Sequence, residues 1–453
     1  MLATIVLAGC IPDFSGFTIV DDEGSVDAGM DAAAELEDGG EVDAAPVDGG
    51  PVDANDPPPS VLDTACVTPW DELEPPFPEV CTRRVSERIG APFEIDDVAI
   101  TRGSDGVVVI AYDAYDGPDL AELRTVRFHE DAPETAADGP VIRPVASMGE
   151  WVGTSVALAT QGADIHHFAY WVRSDLGHEI QHRTLRGNIL SEPDHVAISV
   201  GARGAVDIEI DGAGLPVVAW HDDDTGRNAV RRATGDGTWA VDVNVRSDGD
   251  PRLEGVGAVA LAAGAGTTMH YAFQWCATLA VSAPSYSVST SAASWAVART
   301  LDNPAIDERA SGVGVDLALL GDETIVGYLD WAAQRGEVRL ARFTGSGPIE
   351  ITTLIDDLTI LDRPGRHPMV VETDAYGLLH LLTAGVEGPE TRLEYWRQVR
   401  RGGELEWVVD VLSLIGAVPE RVHADMVIGP DRRPHVVYWD PFVGAVVYAT
   451  IQL

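Results

Sequence analysis

From about residue 95 onward, apolar and polar positions alternate with period two, and a 3.6-residue period is nearly absent. Alternation of this kind puts one set of side chains on each face of an extended strand, so it predicts β-structure throughout. The stretch "VDIEIDGAGLPVVAWHDDDTGRNAVRRAT" shows the unit. An alternating strand leads into a turn with Asp and Gly, then come a more apolar strand, a polar turn and a third alternating strand. "VDLALLGDETIVGYLDWAAQRGEVRLARF" and "VAITRGSDGVVVIAYDAYDGPDLAELRTVRF" repeat the order. A bulky residue near the end of the second strand recurs at Tyr112, Tyr170, Trp220, Phe273, Tyr328, Leu382 and Tyr438, 50 to 58 residues apart. A fourth strand often follows, as in "GTWAVDVNV" and "LEWVVDVLSL". Seven such repeats predict an all-β chain, a seven-bladed β-propeller over residues 95–453.

The seventh repeat, "ADMVIGPDRRPHVVYWDPFVGAVVYATIQL", supplies only three strands. Its final apolar strand would expose a sheet edge. Ahead of the first repeat, "CTRRVSERIG" (81–90) is strand-like and has no partner of its own. It is predicted to close the ring as the outermost strand of the last blade. Cys66 and Cys81 bracket a Pro-rich loop, and in an exported protein such a pair reads as a disulfide stapling the lead-in segment, 61–94. Cys276, beside Trp275, is left over and reads as a buried, inert thiol.

Composition changes the picture at the N-terminus. The formal net charge is −43, and residues 11–60 are rich in Asp, Gly, Ala and Pro with no apolar period. Such a segment cannot bury enough surface to offset its ordering entropy, so it is expected to be a disordered tether. The charge argues against nucleic acid and against adsorption to anionic lipid, since both need basic patches. Residues 1–10, "MLATIVLAGC", end in "LAGC", which resembles the lipobox of bacterial lipoproteins. The resemblance implies a signal-peptide remnant and lipidation at Cys10. Ile11 in place of Asp is similar to lipoproteins sent on to the outer membrane, so a lipid-anchored, envelope location is expected. Over about residues 80–453, and in architecture only, the chain resembles surface lipoproteins bearing BNR-like or otherwise unassigned propeller repeats; the resemblance implies no catalytic residue.

Candidate chemistry gathers where the second strand meets its following turn: Asp113, His221 with Asp222, Asp223 and Asp224, Trp275, Asp330 with Trp331, and Trp439 with Asp440. In propellers this turn shares a face with the interblade loops, which here hold Arg203, Arg252, Arg309, Arg363, Arg366 and Arg421. Arginine forks bind carboxylates and indoles stack on sugar rings, so a ligand cup is one reading. The bland reading makes each arginine a clamp to an Asp of the adjacent blade. His167, His270 and His435 fall three residues before the recurring bulky residue. Equivalent places in different blades lie too far apart for one ion, so these are expected to be packing histidines bonded to a neighbouring blade's backbone. No cofactor and no metal site is expected. The sialidase Asp-box is missing; "TGDGTW" is the nearest piece. No G-x-S-x-G, H-E-x-x-H or P-loop motif occurs. The favoured function is non-catalytic binding or scaffolding by a monomer, with a glycan, peptide or protein ligand. The runner-up is a sialidase-like hydrolase or a lyase working on the Arg-rich face.

Overall fold

The computed structural model describes residues 80–86, 97–115, 121–143, 152–174, 177–200, 205–222, 227–245, 258–278, 281–291, 294–302, 310–332, 335–359, 368–387, 390–401, 403–414, 422–440 and 444–451. Every element within them is a strand or a turn. Seven innermost strands start seven antiparallel units: Val98–Arg102, Val152–Gln161, Val206–Ile210, Val259–Ala263, Ala310–Leu320, Met369–Thr373 and Ala424–Ile428. Each innermost strand neighbours the next, and the seventh neighbours the first. The chain is a seven-bladed β-propeller. Single bridges, Ser282 with Ala310 and Thr359 with Val386, link blades four, five and six into one continuous sheet.

Ring closure follows the sequence expectation. Val80–Arg84 pairs antiparallel with Ala445–Ile451, in register from Val80 opposite Ile451 to Arg84 opposite Val447. Val85 then donates its N–H to Val446 O (2.9 Å), and Val446 N–H donates to Ser86 Oγ (2.9 Å). The apolar edge is therefore covered by the chain's own N-terminal strand.

The core is divided into seven apolar clusters, one in each interface between adjacent blades. The second strands are buried on both faces, and this explains their near-continuous apolar run. At about 1.5–3 kcal/mol for each large apolar side chain fully buried, these interfaces dominate the stabilising terms.

The recurring bulky residue packs against the preceding blade: Tyr112 on blade seven, Tyr170 on blade one, Trp220 on blade two. Blade six departs from the sequence expectation. Trp220 pairs with the first residue of its innermost strand, Val206, and the corresponding pair in blade six is Thr383 with Met369. Leu382 points the other way, into the cluster shared with blade seven. A one-residue offset reverses the face, and both Leu382 and Thr383 are buried, so apolarity alone selected the wrong one.

Candidate functional site

The correction in blade six exposes a fourth repeat histidine. His380 lies three residues before Thr383, as His167, His270 and His435 lie before their own bulky residues. All four bond the third strand of their own blade through side chains. His270 Nδ1 meets Tyr286 Oη (2.6 Å), His380 Nδ1 meets Tyr395 Oη (2.5 Å), His435 Nδ1 meets Tyr448 Oη (2.7 Å) and His167 Nδ1 meets His182 Nε2 (3.0 Å). The Nδ1 partner is thus a tyrosine hydroxyl or a second histidine; His435 also reaches a neighbouring blade, its Nε2 lying 3.2 Å from the Glu130 carboxylate and not on the expected backbone. Among the described residues, no group of three or more His, Cys, Asp or Glu is placed to hold a metal ion.

The channel side of the ring carries a feature the sequence reading missed. Innermost strands of adjacent blades run side by side without a ladder, so their backbone N–H groups need other partners. Aspartates supply them. Asp207 Oδ2 accepts Leu261 N–H (2.6 Å), Asp316 Oδ2 accepts Val371 N–H (2.6 Å) and Asp425 Oδ2 accepts Ile100 N–H (2.9 Å). Each aspartate stands one residue after the partner of its blade's bulky residue, and it holds the residue two past the equivalent partner in the next blade. Between blades one and two the register differs: Asp97 Oδ2 accepts Val156 N–H (2.9 Å). Between two and three a hydroxyl substitutes, Ser155 Oγ accepting Val206 N–H (3.1 Å).

Glu209 and Glu372 project from the same strands. Enclosure by protein pushes the carboxyls of Asp207, Glu209 and Asp425 up to about 7, and enclosure with the nearby Asp425 and Glu209 pushes Glu372 up to about 8. Asp316 is raised well above the ordinary range for the same reason. All five keep some surface toward the channel.

Interblade clamping by arginine also exists, on the third strands and, for Arg299, on the short outer piece of blade four. Arg127 Nη1 donates to Gly187 O (2.9 Å), Arg232 Nη2 to Thr267 O (2.7 Å), and Arg299 to Gly345 O and Gly347 O (3.1 and 3.2 Å), each in the following blade. Arg183 and Arg231 reach back to Ile142 O and Val196 O of the preceding blade.

Arg203, Arg252, Arg309, Arg363, Arg366 and Arg421, with Cys10 and Cys66, lie outside the described residues. So do the tether and the turn residues Asp223 and Asp224. The backbone of Cys81 sits in the closing strand opposite Thr450, and that of Trp331 pairs with Gly336. At the ends of the second strands the remaining predicted residues are placed as follows. Asp113 is buried and accepts Asp97 N–H (2.9 Å), fixing the start of its own innermost strand. Asp330 is buried against Arg339 (2.6 Å), which also holds Asp302 and Glu337 (both 2.7 Å). Asp222 and Asp440 each have a polar partner within the protein. Trp439 is core, packed between blades seven and one, while Trp275 is half-buried at the edge of the cluster between three and four.

This end of the blades also holds buried polar atoms with unused capacity. Nε1 of Trp275 and the hydroxyls of Thr383 and Thr391 have no hydrogen-bond partner, and the His221 ring has only Asn228, its cross-strand neighbour. Burial holds the His221 imidazole down to about 4, so it is neutral near pH 7. Such groups cost about 1–3 kcal/mol each when left unmade, so each one calls for an explanation.

No protein-family model matches the chain, and no curated protein does. Among solved structures, the chain is similar to an ulvan lyase of a new polysaccharide lyase family, bound to -[GlcA(1-4)Rha3S]-, with TM-score 0.51 at 11% identity over 78% of this chain and 92% of that one. It is also similar to the NanB sialidase of Streptococcus pneumoniae (TM-score 0.41, 9% identity, 79% and 68% covered). A third is the Aleuria aurantia lectin in complex with α-methyl-L-fucoside (TM-score 0.42, 12% identity, 72% and 95% covered). At these identities the likeness concerns fold, and only the first is near enough to carry that argument.

Proposed function

We propose that this protein is a non-catalytic glycan-binding propeller, held at the bacterial cell envelope by a lipid on Cys10. One observation carries the binding reading. At the end of the blades where second strands meet third, Asp113 and Asp330 are engaged within the protein, whereas Trp275 Nε1 and the Thr383 and Thr391 hydroxyls are unspent and His221 and Asn228 keep spare capacity. A hydrolase needs two carboxyl groups about 5–10 Å apart facing its substrate. A polyhydroxylated ligand needs amide, imidazole and indole donors beside an aromatic surface. The likeness to a polysaccharide lyase supports a glycan in fold alone.

The runner-up, a glycan-processing enzyme, draws on the channel carboxyls Glu209 and Glu372, whose proton affinity is raised toward neutrality. A glycan array probed with residues 61–453, with released reducing ends and unsaturated products assayed on every bound glycan, separates the two. Binding without product, weakened at least tenfold by Asn228→Ala or Trp275→Ala, is the expected result. Product formation abolished by Glu372→Gln would replace it with the enzymatic reading. For anchoring, Cys10→Ala is expected to shift the protein from the membrane to the soluble envelope fraction; full membrane partition of the mutant would exclude the lipid.

A further inference from the structure

The opposite end of the ring carries the tight turns between innermost and second strands, and two of them depart from the repeat. In blades one, three and six the fourth turn residue is a glycine in the left-handed region: Gly106 (φ 82), Gly214 (φ 78) and Gly377 (φ 74). Blade seven makes the same turn, with Arg432 N–H donating to Gly429 O as Gly377 N–H donates to Asp374 O. There Arg432 stands in the glycine's place at φ 72, the one non-glycine residue with positive φ among those described. A side chain in this region is strained, so the guanidinium has a reason to be there. The second departure is one blade earlier. The third turn residue is Asp105, Ala213 or Asp431 in blades one, three and seven, but Tyr376 in blade six, 71% exposed.

The two departures meet. Arg432 Nε donates to Asp374 Oδ2 (2.7 Å), and its Cζ lies 5.3 Å from the centre of the Tyr376 ring. Asp374 is itself fully buried, and its other oxygen accepts the Tyr376 and Leu378 N–H groups. The carboxylate therefore fixes both the turn that displays Tyr376 and the arginine beside it. The ion pair alone gives Arg432 a structural use, but it leaves the tyrosine unexplained, because an exposed ring adds nothing to the turn. It also leaves Nη1 and Nη2 without a partner among the described residues, on a guanidinium that is one-third exposed.

We infer that Tyr376 and Arg432 form a binding site for a carboxylated sugar. The pyranose ring rests on Tyr376, and its carboxylate takes the free Nη edge of Arg432. The site stands independently of the glycan reading for the other end of the ring.

The test is calorimetric titration of the full chain with a galacturonate tetramer and with its methyl ester, the same sugars without charge. The acid is expected to bind at least tenfold more tightly than the ester. Arg432→Gly, which restores the residue found in three other turns, should lower acid binding to the ester's level. Tyr376→Ala should weaken both at least tenfold, while Ile189→Ala, an exposed residue of blade two outside both sites, should change neither. Equal binding of acid and ester, no binding of either at millimolar concentration, or wild-type affinity in both turn variants would overturn the site.

Discussion

An aspartate in a β-strand usually marks a turn or an edge, yet here it holds neighbouring blades together. Asp207, Asp316 and Asp425 occupy one repeat position and take the N–H of one position in the next blade. Each such bond contributes about 0.5–1.5 kcal/mol, the range for an uncharged acceptor. Asp316→Ala is accordingly expected to lower the unfolding free energy by about 1–3 kcal/mol, because Val371 N–H then loses its acceptor within the wall of the ring. Asp316→Asn, which keeps an acceptor oxygen, should lose less; urea denaturation of both variants measures it, and wild-type stability of the alanine variant would refute the clamp. These aspartates were in plain view in "VDIEI", "VDLAL" and "ADMVI", but their partner is a backbone group and leaves no mark in the sequence. His380 was hidden differently. Choosing Leu382 as the recurring residue put the count one position off, and the histidine fell outside the pattern.

At the scale of strands, turns and blades, periodicity did most of the work, and it failed where polar residues stood on a buried face. Six blades announce their third strand through charged or apolar alternation. Blade four runs Val281–Ser291 with Ser285, Ser287 and Ser289 buried and Pro284 inside the strand, so it lacks the apolar alternation that marks the others. Two short pieces, Ser294–Trp295 and Arg299–Thr300, then pair back on it in place of one outermost strand. The closing strand was legible because an apolar final strand needs a cover. Val85 tests that cover directly. Proline there removes the N–H that reaches Val446 O and strands a carbonyl in a buried seam. Val85→Pro should cost about 1–3 kcal/mol and raise aggregation through the uncovered Ala445–Ile451 edge. An unchanged denaturation midpoint with a monodisperse sample would count against the seam's contribution.

For the molecule as a whole, two sets of buried ionisable groups pull stability in opposite directions with pH. Burial keeps His166, His182, His221 and His380 neutral down to about 4 and His167 down to about 3, and it lowers His270 and His435 as well. Unfolded histidines take up protons near 6.5, so this stabilisation is complete above that pH and is lost as the pH falls toward 4. The channel carboxyls behave in the reverse sense. Asp207, Glu209, Asp425 and Glu372 hold their protons up to about 7 or 8 when folded, and Asp316 is raised too, whereas the unfolded groups ionise near 4. Their contribution is complete below about 4 and is lost as the pH rises through 7 to 8. The histidines outnumber the carboxyls, so stability still rises gently where both titrate and falls once only the carboxyls do, and maximum stability is expected near about pH 6 to 6.5. Glu372→Gln removes one carboxyl from the alkaline limb and spares the acid limb. Melting temperatures should show the variant above the wild type at pH 8.5 and equal to it at pH 4. A wild-type curve that stays flat from pH 6 to 8.5 would mean that channel water solvates these carboxylates, and the alkaline limb would have no source in the ring.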